Sequence, residues 1–141
     1  MPNPTIAKEI ETLYFHNQYE DAIAVAEQQL KVDAQDWPVL AWKALCLYRT
    51  GDQTAGQWMI DAILERNPYQ PHALRARGVM KGLQGDLDAA MRDYNEAIRM
   101  DENFAVAYNN RGNAYSDKGD LDAAMRDYNE VIRLEVKFAV A

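Results

Sequence analysis

The 141-residue chain has one cysteine, two histidines and a single serine, Ser116. Those scarcities close off most side-chain chemistry. One thiol cannot form an intramolecular disulfide, and Cys46 lies in the apolar stretch Ala44-Leu45-Cys46-Leu47, where it reads as a packing residue. That usage fits a reducing compartment. His16 and His72 are 56 positions apart and neither is near Cys46, so the clustered ligands a metal needs are missing; no metal or cofactor is expected. Neither histidine lies near Ser116, so no nucleophile has a base beside it in the chain. Basic residues are also short: 15 Lys and Arg against 22 Asp and Glu give a net charge of −7. A chain with that balance lacks the basic face that nucleic acid or an anionic membrane surface requires. No apolar run approaches the ~18 residues that cross a bilayer. The opening residues, MPNPTIAKEIE, do not pair a basic segment with an apolar one, so no secretion signal is read there and a cytoplasmic location is expected.

What the chain does have is helix-forming material laid out with a period. Hydrophobic residues make up 48% and charged residues 26%, enough of each for a packed core with a solvated exterior. The segment GDLDAAMRDYNE at 85–96 recurs unchanged at 119–130, an offset of 34. Aligned without gaps, 71–104 and 105–138 share 18 of 34 residues. Gly51-Asp52 stands 34 residues before Gly85-Asp86, and Asn17-Gln18 stands 34 before that. Four units follow, at 3–36, 37–70, 71–104 and 105–138. They form one expected domain over 3–138, with 139–141 as the truncated start of another unit.

Each unit shows two stretches of helical periodicity, broken near its fifteenth position. In three units the breaker is Gly-Asp, where glycine adopts the left-handed conformation that ends a helix. Asp88 and Asp122 fall where helix N-caps are expected, and Pro38 and Pro71 suit the first turn of a helix. Small residues at Ala44, Gly78, Gly112, Ala90 and Ala124 let paired helices approach, with Tyr94 and Tyr128 expected to fill the space between units. This predicts helices near 3–16, 20–33, 37–50, 54–67, 71–84, 88–101, 105–118 and 122–135. The carboxylates at 86, 88, 120 and 122 repeat with the period, which marks them as caps and turns rather than catalytic pairs. The Gly-Asp steps open helical hairpins rather than following strands, so no phosphate-binding loop is read. No enzymatic activity is expected.

The period and its signature residues resemble the tetratricopeptide repeat. The fourth unit carries Tyr108, Gly112, Tyr115, Ala124 and Tyr128 at signature positions. The third carries Leu74, Gly78, Ala90, Tyr94 and Ala97, and the second carries Leu40, Ala44, Leu47, Ile63 and Pro68. The first is worn, keeping Ala22, Ala26 and Leu30. Arg77 and Arg111 replace the usual leucine, and Glu102 and Val136 replace the closing proline. The resemblance implies an all-α, right-handed superhelical solenoid of four helix–turn–helix repeats, whose first helices line a concave groove that receives a peptide or protein segment.

Carried over position by position, the resemblance places Tyr14, Trp42, Leu45, Tyr48, Arg49, Arg75, Asn109, Asn110 and Asn113 in that groove. Trp42, Tyr48 and Tyr14 would form an aromatic patch of the kind that anchors partners, or would instead pack between helices. Asparagine is a poor helix former, so three within five residues on one helix suggest a ladder for the backbone of an extended peptide. The clamp with which some family members hold chaperone C-termini is not matched, since Ala7 and Glu11, Ala41 and Leu45, and Arg75 and Val79 occupy its lysine and asparagine positions. The sequence FAVA at 104–107 returns at 138–141. Without a polar capping helix beyond 122–135, Tyr128, Val131, Ile132 and Leu134 would form an uncovered apolar face. Such a face offers a second expectation, a homo-oligomer assembled through this end.

Overall fold

The computed structural model describes residues 1–139, and among these are eight α-helices and no strand. They are α1 (Pro4–Phe15), α2 (Tyr19–Val32), α3 (Trp37–Arg49), α4 (Gln53–Arg66), α5 (Pro71–Leu83), α6 (Leu87–Met100), α7 (Ala105–Asp117) and α8 (Leu121–Ala139). The chain forms two compact units, Met1–Pro68 with α1 to α4 and a second from Tyr69 onward with α5 to α8. In the first, α1 packs on α2 and α3, α2 on α3, and α3 on α4; in the second, each helix packs on the next and α5 also touches α7.

The hairpin turns follow from four residues spaced by the repeat period. Gly51, Gly85 and Gly119 have φ of 102°, 88° and 85°, and Asn17 holds the equivalent place at 60°. Glycine adopts this left-handed geometry without a Cβ clash, and asparagine is the side chain that tolerates it best. The aspartate after each glycine then caps the following helix. Asp52, Asp86 and Asp120 accept the backbone N–H of Ala55, Ala89 and Ala123 at 3.1–3.2 Å. This corrects the expected caps, since Asp88 and Asp122 lie inside the first turn, where a carboxylate still favours the positive end of the helix dipole.

Helix boundaries match the sequence expectation to within one residue everywhere except at the end of α8. In the third repeat, Asp101 terminates α6 in an extended conformation, and its carboxylate accepts the N–H of Asn103 at 3.1 Å. The fourth repeat has Glu135-Val136-Lys137 in place of Asp101-Glu102-Asn103. Glutamate and lysine propagate a helix and cannot make the short aspartate turn. The final helix therefore runs 19 residues, against 14 for its counterparts α2, α4 and α6.

Two packing devices recur in the second unit. A Cβ on Gly78 would lie 2.5 Å from the Tyr94 ring, and one on Gly112 would lie 2.7 Å from the Tyr128 ring. Each tyrosine thus fills the gap left by the glycine of its own hairpin, rather than the space between repeats. The two arginines that depart from the family pattern also find partners. Arg77 makes a bidentate pair with Asp93 at 2.9 and 2.7 Å, and Arg111 makes one with Asp127 at 2.8 and 2.7 Å. Both aspartates are buried, so each guanidinium ties the first helix of its repeat to the second.

Candidate functional site

In the first unit, the expected groove residues come from α1 and α3. Tyr14 is the hub, with its ring centroid 5.1 Å from Trp42, 5.3 Å from Phe15 and 5.5 Å from Tyr19. Arg49 donates its Nε–H to the Tyr14 hydroxyl at 3.1 Å and lies 5.7 Å from the ring centroid. Sequence reasoning left open whether these rings face solvent or pack. They pack: Tyr14, Trp42, Leu45 and Tyr48 are all buried, so none presents an anchor on the surface. The physical reason is that helical position fixes direction only to within a face, while the rings of Tyr14, Tyr19 and Trp42 turn into the gap where α1, α2 and α3 meet. What this cluster shows to solvent is Phe15, roughly half exposed, and the exposed Arg49.

In the second unit, the expected residues lie on α5 and α7. Arg75 is buried, donates from Nη1 to Asn110 Oδ1 at 3.0 Å, and has its guanidinium 6.0 Å from the Phe104 ring centroid. His72 stacks edge-on to the same ring at 4.6 Å. Burial, with the Arg75 charge beside it, pushes the His72 imidazole down to about 4, so it is neutral near pH 7. Asn109 and Asn110 are half-buried and Asn113 is exposed. Asn113 accepts the Tyr128 hydroxyl at 2.5 Å. The amide oxygens of Asn110 and Asn113 are thus held within the fold, while the NH2 group of each is a separate pair of donors. A row of amides beside a guanidinium can donate to backbone carbonyls or carboxylates.

The expected face on α8 is only partly as anticipated. Ile132 is exposed and Tyr128 and Val131 are half-buried, but Leu134 is buried. Leu134 continues the row of Ala124 and Asp127 that faces α7, and so belongs to the hairpin core. Sequence reasoning missed the residues that complete the exposed stripe, Leu121, Met125 and Val136. Their spacing of three to four residues with Tyr128 and Ile132 was the available signal.

Cys46 is buried and its thiol is pushed up to about 12 by desolvation. Among the described residues no three His, Cys, Asp or Glu side chains gather as a metal would need, and no helix is long and apolar enough to cross a membrane.

Comparison with known proteins agrees with the helical-repeat fold. Tetratricopeptide-repeat family models match residues 8–71 and 105–138, and a TPR-repeat model matches 83–119. Among solved structures, a crystal structure of MamA is 21% identical, covering 97% of this chain and 80% of that one with a TM-score of 0.63. The Cut9 and Hcn1 assembly of the APC/C contains a chain 19% identical, with 91% of this chain and 25% of that one covered and a TM-score of 0.77. The first TPR domain of Spaghetti (RPAP3), solved bound to the HSP90 peptide SRMEEVD, is 25% identical. It covers 73% of this chain and 82% of that one, with a TM-score of 0.62. No curated protein matches the chain.

Proposed function

Because this chain is a tetratricopeptide-repeat protein, we propose that it is a protein-interaction scaffold whose α5–α7 face receives an extended segment of a partner polypeptide. The observation that carries this reading is the amide row of α7, Asn109, Asn110 and Asn113, of which Asn110 accepts from the buried Arg75 guanidinium. Three poor helix formers on one helix cost roughly 1–2 kcal/mol of helix propensity relative to alanine. That cost argues for a use of their side chains beyond folding. Support in kind comes from the RPAP3 domain, which holds a peptide. Here the ligand differs from a chaperone tail, because Glu11 and Leu45 stand where that recognition uses amide or lysine side chains. In the first unit, Arg49 and Phe15 are the exposed side chains beside the buried Tyr14 cluster.

The test is selection of binding peptides from a random extended-peptide library with the intact chain. The selected ligands are then titrated against Asn109→Ala and Asn109→Ala/Asn110→Ala. Alanine favours the helix, which offsets part of the cost of removing the Asn110 acceptor from the buried Arg75, so helical circular dichroism well below the unfolding transition should be retained while affinity drops at least tenfold in the double variant. Ligands that bind the double variant as tightly as the natural chain would show that the amide row is not the site.

A further inference from the structure

The duplicated segment provides an internal control on what covers α8. Leu87, Met91, Tyr94 and Ile98 of α6 are repeated as Leu121, Met125, Tyr128 and Ile132 of α8, within GDLDAAMRDYNE and the residues just after it. On α6 the first two are half-buried, and Tyr94 and Ile98 are 4% and 9% exposed. On α8, Leu121, Met125 and Ile132 are 63%, 56% and 58% exposed. The difference is α7, which packs on α6 and has no counterpart over α8 among the described residues of the second unit. The uncovered stripe is also one turn longer, because α8 continues through Val136, itself 59% exposed, where the earlier repeat turns at Glu102.

How α7 meets α6 specifies the chemistry of the missing cover. Lys118, the C-cap of α7, pairs with Asp88 of α6 at 2.5 Å, and Arg111 of α7 donates from Nη1 to Asn95 Oδ1 at 3.0 Å. Arg111 lies over the rings of Tyr108 and Tyr115, at 5.4 and 5.9 Å. The α7 face is therefore Tyr108, Arg111, Tyr115 and Lys118, one stripe at i, i+3, i+7 and i+10. Beyond the Arg111–Asp127 pair inside the α7–α8 hairpin, the acceptors this stripe meets on α6, Asp88 and Asn95, are reproduced on α8 as the exposed Asp122 and Asn129. At the same repeat positions as Arg111 and Lys118, α1 and its C-cap carry the exposed Glu9 and His16. Head-to-tail stacking of a second copy would set Glu9 against Asn129 and His16 against Asp122, and so would lack both the arginine and the lysine that the α7 stripe presents.

We infer that the Leu121–Met125–Tyr128–Ile132–Val136 stripe of α8 docks an amphipathic helix of a partner protein, with two cations seven residues apart interleaved with aromatic side chains. The apolar stripe supplies burial, and Asp122 and Asn129 set the register and direction of the incoming helix. The partner is basic on this face, which also suits the −7 charge of the chain.

The probe is a labelled 18-residue peptide with the α7 stripe, Tyr-x2-Arg-x3-Tyr-x2-Lys, on an alanine- and glutamine-rich background that favours helix. Its control has both cations replaced by glutamate. Fluorescence anisotropy with the intact chain should show saturable binding, at least tenfold weaker for the control. Ile132→Asp should abolish it, and Asp122→Lys should weaken it about fivefold, with recovery when the peptide lysine becomes glutamate. Both positions are exposed, so circular dichroism should show both variants folded. Equal binding of the control peptide, or indifference to Ile132→Asp, would overturn the inference. So would a concentration-dependent dimer in sedimentation that Ile132→Asp dissolves, since the face would then belong to a second copy.

Discussion

The paired ion bridges of the second unit can be tested against each other, because the same arginine–aspartate geometry occurs twice in different degrees of shelter. Arg111 and Asp127 side chains are 20% and 6% exposed, whereas Arg77 and Asp93 are 39% and 10% exposed. Arg111 additionally reaches Asn95 and sits over two tyrosine rings, and its hydrogen bond to Asp127 raises its already high pKa further. Two unit charges about 4 Å apart attract by about 4 kcal/mol at an effective dielectric near 20, and by about 1 kcal/mol in bulk water. A partly sheltered bidentate pair falls between these limits. A double-mutant cycle through Arg111→Leu and Asp127→Ala should therefore give a coupling of about 2 kcal/mol. The cycle through Arg77→Leu and Asp93→Ala should give about 1 kcal/mol. Asp127→Ala alone should cost about 3 kcal/mol, because it leaves a half-sheltered guanidinium without its carboxylate. The double variant should regain part of that, since leucine suits the crossing. Trp37, Trp42 and Trp58 all belong to the first unit, so urea unfolding is best followed by far-ultraviolet circular dichroism. Couplings below about 0.3 kcal/mol in both cycles, or a larger one at Arg77, would refute the argument from shelter.

Three further outcomes follow from the packing and titration described above. Gly78→Ala should destabilise by about 1–2 kcal/mol, because the Tyr94 ring it meets is buried and Ala90 O stands 3.2 Å away. Gly112→Ala should be within about 1 kcal/mol of neutral in urea titration, because Tyr128 can swing outward and alanine gains helix propensity. For His72, the folded value near 4 lies below the ordinary 6.5, so as pH falls the unfolded chain takes up the proton first. Stability is present above pH 6.5 and declines toward pH 4, by about 2 kcal/mol after allowance for partial exposure. His72→Gln, compared with the natural chain across that window by thermal or urea unfolding, should lack this component. Cys46 should be inert to a thiol reagent at pH 8 in the folded chain and react at once in denaturant; fast reaction of the folded chain would contradict its burial.

Fold was the more legible part of this sequence, because a repeat period, a breaker and an apolar rhythm are local signals that all four units restate. Errors arose where a neighbouring residue could do the same job. Asp86 and Asp88 are both plausible caps, and only the backbone turn at Gly85 decides for the first. Arg77 and Arg111 looked like defects in the pattern, yet each stands sixteen positions before a buried aspartate, a pairing that becomes visible only when the hairpin is closed. The groove was harder still. Whether Trp42 lies in a cleft or between helices depends on a rotation of the side chain that helical phase does not specify. Ile132 and Leu134, two positions apart, point about 200° away from each other, so the same apolar run supplies both core and surface.

The snug meeting of Gly112 with Tyr128, and of Gly78 with Tyr94, has a counterpart in the worn repeats. At the same two register positions the first repeat has Ile10 with Ala26, and the second has Ala44 with Ile60. Bulk on one partner is answered by smallness on the other in all four copies, and the heavier member has changed sides once. Growth on one side is best matched by shrinkage on the other, most strictly at Gly78, where the facing Tyr94 ring is buried. Lineages of this chain would then be expected to move at these sites in steps of two. Grafting one repeat's first helix onto another's second would fail wherever the volumes do not sum to the same total.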